Sequence, residues 1–228
     1  MKFKSREKRI QEYNQKYPKR VTDPKDGVVT YFNERGWNLE KAITKAKKKL
    51  VQIQDERKYE TIHITMYEYP MKTDRPRTFR GHTFSPNAAA NHSYFEKAIK
   101  QVVKSFKLIN TPAEVRIDAY LEMPAQVKPD EVILFEAKVL NPIDFPDYDN
   151  IGKCYTDMFK NVLVIDDDLF YKGTVQKYFS VTPRVEIRIR YLVKHESEYI
   201  YKKIKSRKSV KQAIAAGQCV IKKIGEGS

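Results

Sequence analysis

Two carboxylates one residue apart, Asp147 and Asp149, directly follow Pro146; Lys153 comes next, then Asp157, and the unbroken run Asp166-Asp167-Asp168 closes the segment. Aspartate is a hard oxygen donor. Carboxylates that clamp a divalent cation assist phosphodiester cleavage, because the cation neutralises charge developing on the phosphate and lowers the pKa of water. A lysine in the same region stabilises the five-coordinate phosphate or positions the attacking water. In a 228-residue chain of formal net charge +15, acids packed this tightly are not there for solubility. Taken singly, each has an ordinary role: Asp149 as a helix N-cap, Asp147 as a turn former, Lys153 with Asp157 as an i,i+4 pair, the triplet as a polar turn. Together they do not. Three like charges between Val162-Leu163-Val164-Ile165 and Leu169-Phe170 repel one another unless something positive neutralises them.

The elements that must position these residues follow from periodicity. Apolar residues at helical spacing predict helices over 38–58, with Asn38 as N-cap, and over 91–108 (Phe95, Ile99, Val102, Val103, Phe106), and 150–161 reads as the helix of the acidic motif, with Asn150, Lys153 and Asp157 on one face. Alternation or β-branched content predicts strands over 61–69, 115–121, 173–179 and 184–191, and a short strand in an insertion over 132–140. Pro18, Pro24 and Gly27 are expected to interrupt any long helix before residue 35, and 72–90 reads as a loop. The order is β-α-β-α-β-β: an α+β fold with a small mixed or antiparallel sheet and packed helices. Residues 1–60 read as a basic N-terminal helical extension, 61–193 as the catalytic domain and 194–228 as a basic helical tail.

Charge supports that division. Residues 1–60 carry 17 Lys/Arg against 9 Asp/Glu and residues 194–228 carry 9 against 3, while 61–193 are nearly balanced at 18 against 17. Basic flanks around a neutral core suggest arms that hold a phosphate backbone through counterion release. Lys202, Lys203, Lys205, Arg207 and Lys208 form the plainest such arm; Arg75, Arg77 and Arg80 could grip phosphates from the loop, and Arg184, Arg188 and Arg190 share one strand face. Cys154 and Cys219 are far apart and read as free thiols of a reducing compartment, and His63, His82, His92 and His195 lack zinc spacing. No stretch is long and apolar enough to span a bilayer, so a cytoplasmic protein is expected.

The arrangement Asp147-x-Asp149-Asn150-x-x-Lys153-x-x-x-Asp157, followed by an apolar stretch into Asp166-Asp167, resembles the signature of the RusA family of Holliday junction resolvases of bacteria and phages. The similarity runs over residues 61–192, including the β-α-β-α-β-β order. It implies metal ligation by Asp147, Asp149 and the second Asp of the later pair, Asp167, with Lys153 as a catalytic or DNA-contacting group. It further implies a homodimer that uses Mg²⁺, with Mn²⁺ as a substitute, to nick two strands symmetrically across a four-way junction in a bacterial or phage-infected cell. Asp168 stands where the family has a small polar residue, which leaves the register among Asp166, Asp167 and Asp168 open by one position. Segments 1–60, 128–141 and 194–228 have no counterpart in the compact family pattern.

Two other readings compete. Pro146-Asp147 and Glu136-Ala137-Lys138 are the parts of a PD-(D/E)xK nuclease, although in reversed order. A basic DNA- or RNA-binding protein without nuclease activity would need the acidic cluster only for a structural ion or for none.

Overall fold

The computed structural model describes residues 24–72, 77–79, 82–84, 88–102 and 107–226. The chain divides into two compact units, Met1–Gln54 and Asp55–Ser228. In the first, α1 (Pro24–Glu34) is followed by α2 (Leu39–Glu56). Pro24 opens α1 instead of interrupting it, because a proline at the first helical position lacks only an N–H that would have no intrahelical partner. Asn38 caps α2 as its sequence predicts, its Oδ1 accepting from the Lys41 N–H at 2.8 Å. Trp37 packs edge-on against Phe32, ring centroids 5.6 Å apart, and Arg35 lies over the Tyr31 ring. No residue of α2 is buried.

In the second unit, β1 (Tyr59–Met66), β4 (Ala113–Glu122), β5 (Phe170–Ser180) and β6 (Arg184–Leu192) form one sheet in the spatial order β1-β6-β4-β5. β6 is antiparallel to both neighbours, whereas β4 and β5 are parallel. Parallel neighbours require a crossover, and the crossover from β4 to β5 carries the acidic helix. α3 (Ala88–Val102) and α5 (Tyr148–Phe159) supply Phe95, Ile99, Tyr155 and Phe159 to the core that the strands face with Ile117, Ile187 and Ile189. Gly152 lets α5 approach the sheet, since a Cβ there would stand 2.8 Å from Val175 Cγ2.

The opposite sheet face is polar. Glu114, Arg116, Asp118 and Tyr120 of β4 pair laterally with Arg190, Arg188, Glu186 and Arg184 of β6. The segment read as a loop holds a hairpin, β2 (Arg77–Phe79) with β3 (His82–Phe84), paired Arg77↔Phe84. The strand expected over 132–140 is instead helix α4 (Pro129–Glu136). Pro129 fits its first turn, Asp130 and Glu131 suit the positive helix end, and the chain leaves through Lys138 in the left-handed region at φ 60°.

Beyond the sheet, α6 (Glu198–Ser206) and α7 (Lys208–Ala215) bury Ile204, Val210 and Ala213 in the same core as the strands, together with Cys219. His195 anchors this segment. Its Nε2 lies 3.0 Å from Asn110 Oδ1. Because the Asn110 amide already donates to Val220 O and Cys219 Sγ, that oxygen must accept and Nε2 must carry the proton. Nδ1 is then a bare, buried acceptor with no partner among the described residues.

Desolvation holds the imidazole neutral, down at about 4. The unfolded chain protonates near the ordinary value of 6.5 and therefore binds the proton first as pH falls. The stability that goes with neutral His195 is complete above about pH 6.5 and declines toward pH 4, by up to roughly 3 kcal/mol. Thermal melting at pH 7 and pH 4.5 should show a steeper loss for the native protein than for His195→Gln; equal losses would remove His195 as the cause.

Candidate metal centre and nucleic-acid interface

The acidic helix starts two residues earlier than the motif suggests. Asp147, not Asp149, is the N-cap of α5, with extended backbone angles of φ −64° and ψ 143°. Its carboxylate caps no backbone N–H, and its closest contact is the Asn150 amide at 3.5 Å. Asp149 lies in the first turn and Lys153 one turn further on, all three exposed. Among the described residues no Lys or Arg pairs with Asp147 or Asp149, and no carboxylate pairs with Lys153; the expected Lys153–Asp157 ion pair is not formed. Two carboxylates and an ammonium thus meet solvent together at the helix start. Lys177 fixes the preceding turn by donating to Asp144 O at 2.7 Å and Pro146 O at 3.0 Å. The adjacent Phe145 is exposed, covered on one side by Lys72 Nζ 3.7 Å from its ring centroid.

The triplet lies at the other end of the same helix. α5 stops at Lys160, and Asn161 takes the left-handed conformation at φ 59°, which asparagine tolerates better than most residues. The N–H groups of Val162, Leu163 and Val164 then return to Phe159 O, and Ile165 N–H reaches Ile109 O. This tight return puts Asp166 beside Lys160, Nζ to Oδ1 2.9 Å, with Asp167 Oδ1 at 3.8 Å from the same ammonium. Arg207, between α6 and α7, binds Asp168 through both arms of its guanidinium, 2.9 Å and 2.6 Å, and stands 3.7 Å from Asp166. Lys160 and Arg207 are the positive groups that the triplet requires. Asp167, sharing a hydrogen bond with Asp166, is held above the usual carboxylate range, with burial adding to the effect. Burial pushes Asp166 up as well, but the hydrogen bonds from Lys160 and Asp167 and the Lys160 and Arg207 charges outweigh it and leave Asp166 below that range.

The predicted ligands therefore form two groups. A 12-residue helix is about 18 Å long, and β5 gives a second ruler: Phe170 packs on Phe159 at 6.2 Å, whereas Lys177 reaches Pro146. Among the described residues no three His, Cys, Asp or Glu side chains gather into one ligand set. The donors fit a hard divalent cation in kind: carboxylate oxygens without a cationic partner among the described residues at one end, and two hydrogen-bonded carboxyls beside Lys160 at the other. Within one chain Asp147 and Asp149 do not converge with Asp167.

Of the residues expected to touch DNA, Arg188 is exposed on the polar sheet face with no carboxylate partner among the described residues. Arg184 is engaged with Glu186 at 2.8 Å and lies over the Tyr120 ring. Lys202 pairs with Glu198, Lys203 and Lys205 lie near tyrosine rings, and Lys208 is exposed. Arg207 faces the acidic triplet instead of extending an arm. Arg75 and Arg80 fall outside the described residues, as does the side chain of Arg77. Glu136 accepts from the Val181 N–H at 2.6 Å and Lys138 donates to Tyr120 OH at 2.7 Å, structural contacts that leave the PD-(D/E)xK reading without its acid and lysine. Sequence reasoning missed Lys160 and assigned Arg207 to a DNA-binding arm, not to the triplet. Lys160 was within reach as a cation six residues before Asp166, but nothing in the spacing links Arg207 to a triplet 39 residues earlier.

The fold is the α+β class expected from the sequence, and comparison with known proteins supplies the protein class. The sequence profile of Endodeoxyribonuclease RusA matches residues 68–190, more than half of the chain. The chain belongs to the RusA endodeoxyribonuclease family, whose activity is directed at branched DNA. It is also 28% identical over 135 residues to the uncharacterized protein YqaN of Bacillus subtilis (strain 168), a match covering 57% of this chain and 95% of that protein. No helix among the described residues is long and apolar enough to cross a membrane.

Proposed function

We propose that this protein is a Mg²⁺-dependent Holliday junction resolvase that introduces paired, symmetric nicks across a four-way junction. The observation that carries the proposal is the start of α5, where Asp147 and Asp149 stand exposed and without a cationic partner beside Lys153 on a chain of net charge +15. The residues that would hold the cation are Asp147, Asp149 and Asp167; Mn²⁺ meets the same donor chemistry. A bound divalent cation supplies neutralisation of the charge developing on the phosphate and makes water more acidic. Lys153 places a fixed positive charge against the scissile phosphate, and Arg188 with Lys202, Lys203, Lys205 and Lys208 holds the DNA arms through backbone phosphates. Phe145 and Tyr148, both exposed, flank Asp147 with rings on which unpaired bases at a branch point can stack.

The separation of the two carboxylate groups also favours a homodimer. If Asp147 and Asp149 of one copy meet Asp167 of a second, a two-fold axis generates two equivalent sites, which matches the two equivalent strands of a four-way junction. Incubation of four-way, flap, fork and linear DNA with Mg²⁺ or with EDTA tests the reading. Ligatable paired nicks confined to the four-way substrate with Mg²⁺ are expected. Equal cutting of linear duplex, or binding without cutting in Mg²⁺ and Mn²⁺, would contradict it.

A further inference from the structure

We infer that Arg207 is a positioning residue of the nuclease site: it withdraws Asp168 from the ligand set and fixes the acidic turn so that Asp167 is presented as the ligand. The inference rests on the reading of Asp167 as a metal ligand. Three observations carry it. The guanidinium grips Asp168 with two bonds of 2.9 and 2.6 Å and reaches Asp166 at 3.7 Å. Lys160 restrains Asp166 from the opposite side at 2.9 Å, so the two residues flanking Asp167 are both tied to cations, while Asp167 approaches Lys160 at the longer 3.8 Å and is otherwise hydrogen-bonded to Asp166. Arg207 is also set rigidly, since it joins α6 to α7 between Ile204 and Val210, which are both buried in the core. A planar fork matched to one carboxylate restrains direction as well as charge, and lysine does not reproduce it. The segment after β6 thereby acts on the site from outside the family match at 68–190.

The test uses the full-length protein with Arg207→Gln, Arg207→Lys, Asp168→Asn and Asp167→Asn, and reads four-way junction cleavage together with Mn²⁺ binding followed by electron paramagnetic resonance. Loss of a group that orients a metal ligand weakens metal affinity or turnover by about 10–100-fold. Arg207→Gln should lower kcat and weaken Mn²⁺ binding by that order with the KM for junction unchanged, and Arg207→Lys should fall between it and the native protein. Asp168→Asn offers Arg207 one acceptor in place of two and should show a partial loss like that of Arg207→Lys, whereas Asp167→Asn should be inactive. The inference is overturned if Asp168→Asn is as damaging as Asp167→Asn, which would make Asp168 the ligand. It is also overturned if Arg207→Gln raises KM and flattens the salt dependence of binding, which would make Arg207 a DNA contact, or if it leaves both readouts unchanged. Failure of the native protein to cut the junction would overturn the proposed function instead, a separate result.

Discussion

Asp147→Asn is expected to remove cleavage of a four-way junction by about a thousandfold or more while junction binding persists or tightens, and without loss of fold. Deleting one anionic ligand oxygen removes several kcal/mol of transition-state charge stabilisation, and each 1.36 kcal/mol is a factor of ten in rate. Binding moves the other way because a negative charge facing the phosphates is gone. The fold is spared because the Asp147 carboxylate is exposed, caps no N–H and among the described residues hydrogen-bonds only the Asn150 amide, at 3.5 Å, so the stability change should stay within about 0.5 kcal/mol. Junction cleavage, gel-shift binding and a thermal melt on one preparation separate the three quantities. Native-like cleavage by Asp147→Asn would remove the start of α5 from the chemistry.

Truncation after Lys194 is expected to destroy the folded unit, not merely to shorten a DNA arm. Ile204 is 2% exposed and Val210 0%, and each buried side chain of this kind contributes about 1.5–3 kcal/mol. Removing both, together with Ala213, Cys219 and the His195–Asn110 contact, takes away much of the roughly 5–15 kcal/mol by which a domain is stable. Strands β4 and β6 would keep their pairing partners but lose the cover over one end of the core. The truncated protein should show no cooperative melt. A truncated chain that melts at the native temperature would mean that α6 and α7 are dispensable to the core.

The sheet was legible in the sequence because its physics is local. Val115, Ile117 and Ala119 alternate with Arg116, Asp118 and Tyr120, and Val185, Ile187 and Ile189 with their arginines, so both strands announce which face is buried. The α5 helix was legible from the spacing of Asn150, Lys153 and Asp157 on one face, although it begins two residues before the expected start. What failed had its cause outside the local pattern. The run Val132–Phe135 is apolar enough for a strand, but Pro129 and the acidic first turn make it helical. The last 35 residues look like a solvated arm because 9 Lys/Arg stand there against 3 Asp/Glu, yet Ile204, Val210 and Ala213, apolar residues at helical spacing, reach the core. The residues proposed as ligands were singled out by type, but not their separation: only the straight length of α5, with the triplet folded back onto Lys160, shows that Asp147 and Asp167 lie at opposite ends.

That separation makes subunit mixing the most direct test of a metal-dependent resolvase built from two copies. Asp147→Asn and Asp167→Asn proteins are each expected to be inert on a four-way junction in Mg²⁺. After co-refolding into mixed dimers, one site carries both substitutions and the other carries neither, so the mixture should regain cleavage and nick a single strand. A mixture as inert as its two parents, beside a native protein that cuts both strands, would contradict the account.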